Sequence, residues 1–158
     1  MTRARHIAVC GPGEANDQEA AWAEEVGRLI AQAGAVLVCG GLGGVMDAAA
    51  RGAESVGGVS VGLLPGEERD EASPHLTVAV PTGLGEARNA LVVRAADAVI
   101  AISGEFGTLS EIALALKMGK PVVGLSTWEL AKGGRPVDAV IRAATPEEAV
   151  RAALDAIG

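Results

Sequence analysis

The chemistry-bearing residues of this chain gather in four glycine-rich turns. They are Gly11-Pro12-Gly13, Gly40-Gly41-Leu42-Gly43-Gly44, Thr82-Gly83-Leu84-Gly85 and Gly104-Glu105-Phe106-Gly107-Thr108. Each follows a short apolar run, and the second and fourth lead straight into helical patterns. A helix start presents unpaired N–H groups and a partial positive charge, so a glycine turn there can cradle a phosphate or a carboxylate. One such turn is weak, because glycine also simply tightens loops. Four at one sheet edge point to a crevice for an anionic ligand. Few charged residues stand beside them. Arg88, followed by Asn89, opens the helical pattern after the third of these turns and can clamp a phosphate through two parallel N–H donors. Its plain alternative is a solvated helix residue. Glu111 can act as a general acid or base or hold a ribose hydroxyl. It also stands three residues after Thr108, the spacing of a capping box.

Two common phosphate-binding motifs are excluded. No Gly-Lys-Ser/Thr follows any of these turns, so there is no Walker A loop. The first turn, Cys10-Gly11-Pro12-Gly13-Glu14-Ala15-Asn16, lacks the third glycine of the dinucleotide fingerprint.

The elements that must position these turns are legible from periodicity. Continuous Val/Ile/Leu/Ala runs at His6–Cys10, Ala35–Cys39, Val59–Leu64, Leu76–Val80, Ala98–Ile102 and Pro121–Leu125, with a weaker one at Ala139–Ala143, read as parallel strands buried on both faces. Helical patterns alternate with them. In the first, Trp22, Val26, Leu29, Ile30 and Ala33 share one face, and Gly34 stands where a terminating glycine belongs. Others cover Gly44–Ser55, Gly85–Ala96, Thr108–Met118 and Pro146–Ile157, the last with Thr145 as N-cap and Pro146 at its first position. The expected fold is α/β: a Rossmann-like, doubly wound, mostly parallel sheet of about seven strands, in one domain spanning 1–158. Ligands of such sheets bind beyond the carboxyl ends of the strands.

Composition narrows the partners. Thirteen Lys and Arg against 20 Asp and Glu leave a net charge of −7, which argues against nucleic acid. The aromatics are only Trp22, Phe106 and Trp128, too few for a base-stacking strip. No apolar run reaches the roughly 18 residues of a membrane span. Two cysteines, Cys10 and Cys39, cannot build a disulfide framework, and a reduced cytoplasm is the simplest setting. Both close predicted neighbouring strands, as small buried residues or as thiols at the crevice floor. No metal-ligand spacing joins them to His6 and His75, which lie at strand starts as surface residues on the opposite edge. Asp47, after the second turn, is placed to touch a ligand hydroxyl or simply to face the helix dipole.

The stretch Ser103-Gly104-Glu105-Phe106-Gly107-Thr108-Leu109-Ser110-Glu111 resembles the Pro-Gly-Gly-x-Gly-Thr-x-x-Glu signature of the Lonely-Guy, lysine-decarboxylase-like superfamily of Rossmann proteins. Gly40–Met46 is similar to that superfamily's earlier glycine motif, and the resemblance covers nearly the whole chain. The segment Thr82–Asn89 resembles most the molybdenum cofactor carrier-like branch. Two departures stand in the signature: Ser103 in place of Pro, and Glu105 in place of its second Gly. In the hydrolase family the resemblance implies cleavage of the N-glycosidic bond of a nucleoside 5′-monophosphate, with Glu111 and Arg88 as the catalytic pair and Gly104, Gly107 and Thr108 on the phosphate. In the carrier branch it implies binding, without turnover, of a pterin cofactor bearing a phosphate.

The expected ligand is therefore a phosphate-bearing small molecule bound at Gly40–Gly44, Thr82–Asn89 and Gly104–Glu111. No cofactor is required, and the crevice leaves room for a bound molybdenum cofactor or nucleotide. A carboxylate at Glu105 would repel a dianion, which weighs against unmodified hydrolase geometry and not against binding. A ligand-sensing module without chemistry is a third reading. Leu91, Val92, Ala113, Leu114 and Leu116 wrap more than one helix face, which together with the related families predicts a homo-oligomer, a dimer or tetramer.

Overall fold

The computed structural model describes residues 2–158. Nine strands and five α-helices follow one another. They are β1 (His6–Cys10), α1 (Asp17–Gln32), β2 (Val36–Cys39), α2 (Val45–Ser55), β3 (Ser60–Leu64), β4 (Val78–Pro81), α3 (Arg88–Arg94), β5 (Ala98–Ile102), α4 (Phe106–Lys117), β6 (Val122–Leu125), β7 (Leu130–Lys132), β8 (Arg135–Val137), β9 (Ile141–Ala143) and α5 (Pro146–Ile157). Seven strands form one sheet in the order β4-β3-β2-β1-β5-β6-β9, and every pairing in it is parallel. The architecture is α/β, as the alternation of apolar runs and helical patterns predicts.

The continuous apolar runs are explained by two cores, one on each face of the sheet. Ile7, Val9, Leu37, Ile100 and Val123 face α1, α2 and α5. Ala8, Cys10, Val38, Val99 and Val122 face α3 and α4. Neighbouring residues of one strand thus bury against opposite layers, so the strand interiors are apolar on both faces, and the buried Ser60 at the start of β3 has its hydroxyl hydrogen-bonded to the Thr77 N–H.

Local signals place the helix ends. Asn16 and Glu19 form a full capping box at the start of α1. Thr145 caps α5 through the Glu148 N–H, with Pro146 at its first position. The cap of α4 differs from the expectation. The helix begins at Phe106, its N-cap is Glu105, and no side chain caps it. Thr108 therefore lies inside the first turn and makes no capping box with Glu111. The helix expected over Gly85–Ala96 opens as a single 3₁₀ turn at Gly85–Ala87 and is α-helical only from Arg88 to Arg94. The hairpin β7–β8 is an addition to the expected elements, a separate two-stranded antiparallel sheet.

His6 and His75 are half-buried: the His6 ring meets the Ala95 carbonyl, and the His75 ring pairs with Glu54. Of the apolar positions on α3 and α4, Val92, Ile112 and Ala115 are buried, whereas Leu91 and Ala113 are exposed in the single chain. Among the described residues no helix is long and apolar enough to cross a membrane.

Candidate functional site

The strand order reverses at β1: β2, β3 and β4 follow on one side, β5, β6 and β9 on the other. The loops leaving β1 and β5 diverge there and open a crevice at the carboxyl edge, the general ligand position of doubly wound sheets. A cavity of about 670 Å3 occupies it. Gly11–Glu14 after β1 and Gly104–Gly107 after β5 form two of its walls, with Arg88 and Asn89 from α3 and Thr108 and Glu111 from α4 completing it.

Arg88 is not a solvated helix residue. It is 8% exposed, and its guanidinium lies so close to Gly40 that a Cβ there would stand 2.4 Å from Nη1. Nη1 donates to Asn89 Oδ1 at 3.0 Å, and Asn89 Nδ2 donates to Ser110 Oγ at 3.2 Å. Arg88, on α3, is thus tied through Asn89 to Ser110 of α4. Its Nε is buried with no hydrogen-bond partner among the described residues. A buried donor left unmatched costs on the order of 1–3 kcal/mol, more on a charged group, so an acceptor at this site is worth that much.

Glu111 is also 8% exposed. Burial raises its carboxyl from the ordinary 4.5 to about 7, while the Cys10 thiol and the Arg88 guanidinium both favour the carboxylate. Cys10 Sγ donates to Glu111 Oε2 at 3.2 Å from beneath. Burial, then the neighbouring Glu111, pushes the Cys10 thiol well above its usual range, and burial takes Cys39 to about 11. Both cysteines are free, buried and protonated near neutrality. Glu111 thus lines the cavity with its carboxyl bonded to a thiol buried behind it in the core, and burial raises that carboxyl to about 7.

The loop from β5 to α4 is pinned from the β6 side. Thr127 Oγ1 donates to the Ser103 carbonyl, and Trp128 Nε1 donates to the Glu105 carbonyl at 3.1 Å. This holds Ser103 at φ 51, a left-handed conformation that a proline ring forbids. The loop therefore departs from the Pro-Gly-Gly signature in backbone as well as in residue type. Gly104, at φ 106 and packed against the Thr108 side chain, is a position only glycine fills. Glu105 has φ −105, so the lost second glycine imposes no strain there. Its side chain lines the cavity and is exposed.

The candidate residues separate into two groups. Gly11, Arg88, Asn89, Gly104, Glu105, Gly107, Thr108 and Glu111 line the cavity. Gly40, Gly41, Gly43, Gly44, Thr82 and Gly83 do not line it. Gly40 lies under Arg88, Gly41 packs on Leu64 and Gly62, and Gly43 and Gly44 abut the first turn at Pro12 and Gly13. Thr82 turns its hydroxyl back to the Leu64 carbonyl, and Gly83 faces Glu67. The second turn and the Thr82–Gly83 half of the third thus stay out of the lining, to which Gly85 contributes beside the first and fourth turns. Asp47 is engaged elsewhere, accepting from Ser73 Oγ at 2.7 Å and pairing with Arg51 at 3.1 Å.

Glu19 and Glu86 line the cavity and were not singled out by sequence reasoning. The Asn16-x-x-Glu19 capping signal just after the first turn marks Glu19 as close to it. The Ser103 hydroxyl and the Asn16 backbone N–H hold the Glu19 carboxyl below its ordinary value. A larger cavity of about 790 Å3 lies between the β7–β8 hairpin and the β6–β9 edge, and it contains none of the candidate residues. Among the described residues no group of three or more His, Cys, Asp and Glu is placed to hold a metal ion.

A doubly wound parallel sheet of this order, with helices on both faces, defines a Rossmann-like α/β fold. The chain belongs to the SLOG cluster4 family, whose profile matches residues 4–150. It is 44% identical over 144 residues to an uncharacterized protein of Archaeoglobus fulgidus, 91% of each chain. Among solved structures it is similar to the molybdenum cofactor binding protein from the phototrophic bacterium Rippkaea orientalis, with 36% identity, complete coverage of both chains and a TM-score of 0.89. It is likewise similar to the molybdenum cofactor carrier protein of Chlamydomonas reinhardtii, with 34% identity, 98% of this chain and 99% of that one covered, and a TM-score of 0.87.

Proposed function

We propose that this chain binds and carries a phosphate-bearing small molecule of the molybdenum cofactor type, without turning it over. The single observation that carries the reading is Arg88, buried in the cavity wall with an unmatched Nε. Three features of the site fit a phosphate group. The first N–H groups of α4, including those of Gly107 and Thr108, have no side-chain cap. Nothing stands within 4 Å of where a Cβ would sit on Gly13 or Gly107, so backbone there is open to close approach. Glu111, titrating near 7, adds little negative charge below that pH. The two similar solved proteins, named for cofactor binding and carriage, support the choice of ligand class.

In this reading Arg88 and the first turn of α4 hold the phosphate, Asn89 positions Arg88, and Glu111, bonded to Cys10 in the core behind it, completes the wall. The cofactor, when bound, supplies molybdenum redox chemistry; the chain binds it and screens it from water. The test is equilibrium dialysis of the purified protein against molybdenum cofactor released from a molybdoenzyme, followed by molybdenum and phosphate analysis. Wild type retains the cofactor, and Arg88→Met weakens retention by tenfold or more, in keeping with about 1.5–3 kcal/mol for hydrogen bonds to a charged group. Equal retention by both proteins, or none by wild type, overturns the proposal.

A second reading, phosphoribohydrolase, is favoured by one observation: a carboxyl with a pKa of about 7 beside an arginine in a cavity, which suits a general acid. Incubation with a panel of nucleoside 5′-monophosphates and chromatography for free base decides it. Release that vanishes in Glu111→Ala establishes hydrolysis; no release from folded protein leaves carriage.

A further inference from the structure

The five helices form two layers with different outer surfaces. On one face of the sheet, α1, α2 and α5 turn charged side chains outward, among them Glu25 and Arg28, Arg51 and Glu54, Arg151 and Asp155. On the other face α3 and α4 do the opposite. Leu84, Ala87, Leu91 and Ala95 recur at spacings of three and four through α3 and its ends, and all four are exposed. On α4, Phe106 and Ala113 are exposed and Leu109 and Leu116 half-buried, again in one helical stripe. The sheet is bare beside them. Register places Val78 and Val80 of β4 on the same side as Leu63, which packs on the core beneath α3 and α4. They are 45% and 38% exposed, although a parallel sheet normally buries both faces.

An apolar face of this extent marks a contact with another molecule, and the charges bordering it indicate which. Glu86 precedes α3 and Glu105 caps α4, both at the carboxyl edge; Arg94 and Lys117 end the two helices at the other edge. All four are exposed. By contrast, α1, α2 and α5 have no basic residue in the last turn. Both α3 and α4 return from the carboxyl edge, so they run the same way and the face is acidic at one end and basic at the other. A two-fold axis through its centre lays the acids of one copy over the bases of the other, and apolar stripe on apolar stripe. We propose that the α3–α4 face, with the bare strip of β4, docks a second copy of this chain in an isologous contact. Glu86 and Glu105 also line the cavity, so the contact sets Arg94 and Lys117 of the second copy at its rim.

Light scattering on the full chain as it elutes from a sizing column tests the proposal. Wild type should appear at twice the chain mass or a larger even multiple. Leu91→Glu with Ala113→Glu, which puts a carboxylate into each stripe, should halve that mass. Ala156→Glu, on the exposed side of α5, should leave it unchanged. Ala113→Glu alone, a change confined to the outer face, serves if circular dichroism shows that the double variant does not fold. Arg94→Glu with Lys117→Glu should also halve the mass, and adding Glu86→Lys with Glu105→Lys should restore it. A monomeric wild type overturns the proposal, as does a folded stripe variant that keeps the wild-type mass. Failure of the fourfold charge exchange to restore the assembly overturns the two-fold pairing of acids on bases.

Discussion

Replacing Glu111 with glutamine should flatten part of the pH dependence of stability, and the size of the effect follows from its burial. In the unfolded chain this carboxyl loses its proton near the ordinary 4.5; in the folded chain it holds it to about 7. Because the raised value means the fold favours the protonated form, its contribution is complete below the lower value. It is lost as pH rises through the window between the two. A shift of this size corresponds to about 3 kcal/mol over the whole titration, of which about 2.5 kcal/mol falls between pH 5 and 8.5. Glutamine keeps the volume and cannot ionise. Urea unfolding of wild type and Glu111→Gln at both pH values gives a double difference in which every other titrating group cancels. We expect wild type to lose about 2–3 kcal/mol more than the variant, or about 5–10 °C in Tm for a chain of this size. Parallel pH profiles would show that Glu111 is already ionised in the fold at pH 5, and the burial argument would fail.

Three further outcomes follow from contacts already described or adjoining them. Gly52→Ala should destabilise by about 2 kcal/mol, although alanine is the better helix former by about 1 kcal/mol. Its Cβ would stand 1.9 Å from the Glu24 carbonyl oxygen, where α1 and α2 touch backbone to backbone, and thermal unfolding reads the loss. Lys120→Met should cost about 1–3 kcal/mol in urea unfolding, because the Lys120 ammonium donates to the carbonyls of Val93, Arg94 and Ala96 at the C-terminal end of α3. Glu105→Gln should tighten guanosine 5′-monophosphate binding about fivefold at low salt by removing a carboxylate from the cavity wall. The gain should shrink at 0.5 M KCl, and a gain insensitive to salt would contradict the electrostatic cause.

The sequence by itself determined the elements and the edge at which the glycine turns gather. Continuous apolar runs can satisfy only strands buried on both faces, and Thr145-Pro146 with Glu148, like Gly34, marks a helix end through contacts within a few residues. These are local signals, and local structure answers to them. The β7–β8 hairpin escaped because its strands are three residues each and largely exposed, so they carry no alternation to detect. Gly27 and Gly52 sit inside helices, where their role is close packing of α1 on α2, and nothing in their own neighbourhood announces a partner helix.

Only the tertiary structure decided which candidate residues share one cavity and in what environment. Thr108 and Glu111 have capping-box spacing, yet the backbone enters α4 two residues earlier because Trp128 and Thr127, after β6, fix the loop. The titration of Glu111 follows from its burial, tempered by a bond to Cys10, which is 101 residues away in the chain, and Arg88 of α3 packs on Gly40, just after β2. Six of the fourteen candidate ligand residues do not line the cavity, since sequence shows that a turn follows a strand but not which of its residues faces the crevice. Burial and charge come from neighbours distant in sequence, and these are set only when the sheet order brings β1 and β5 side by side.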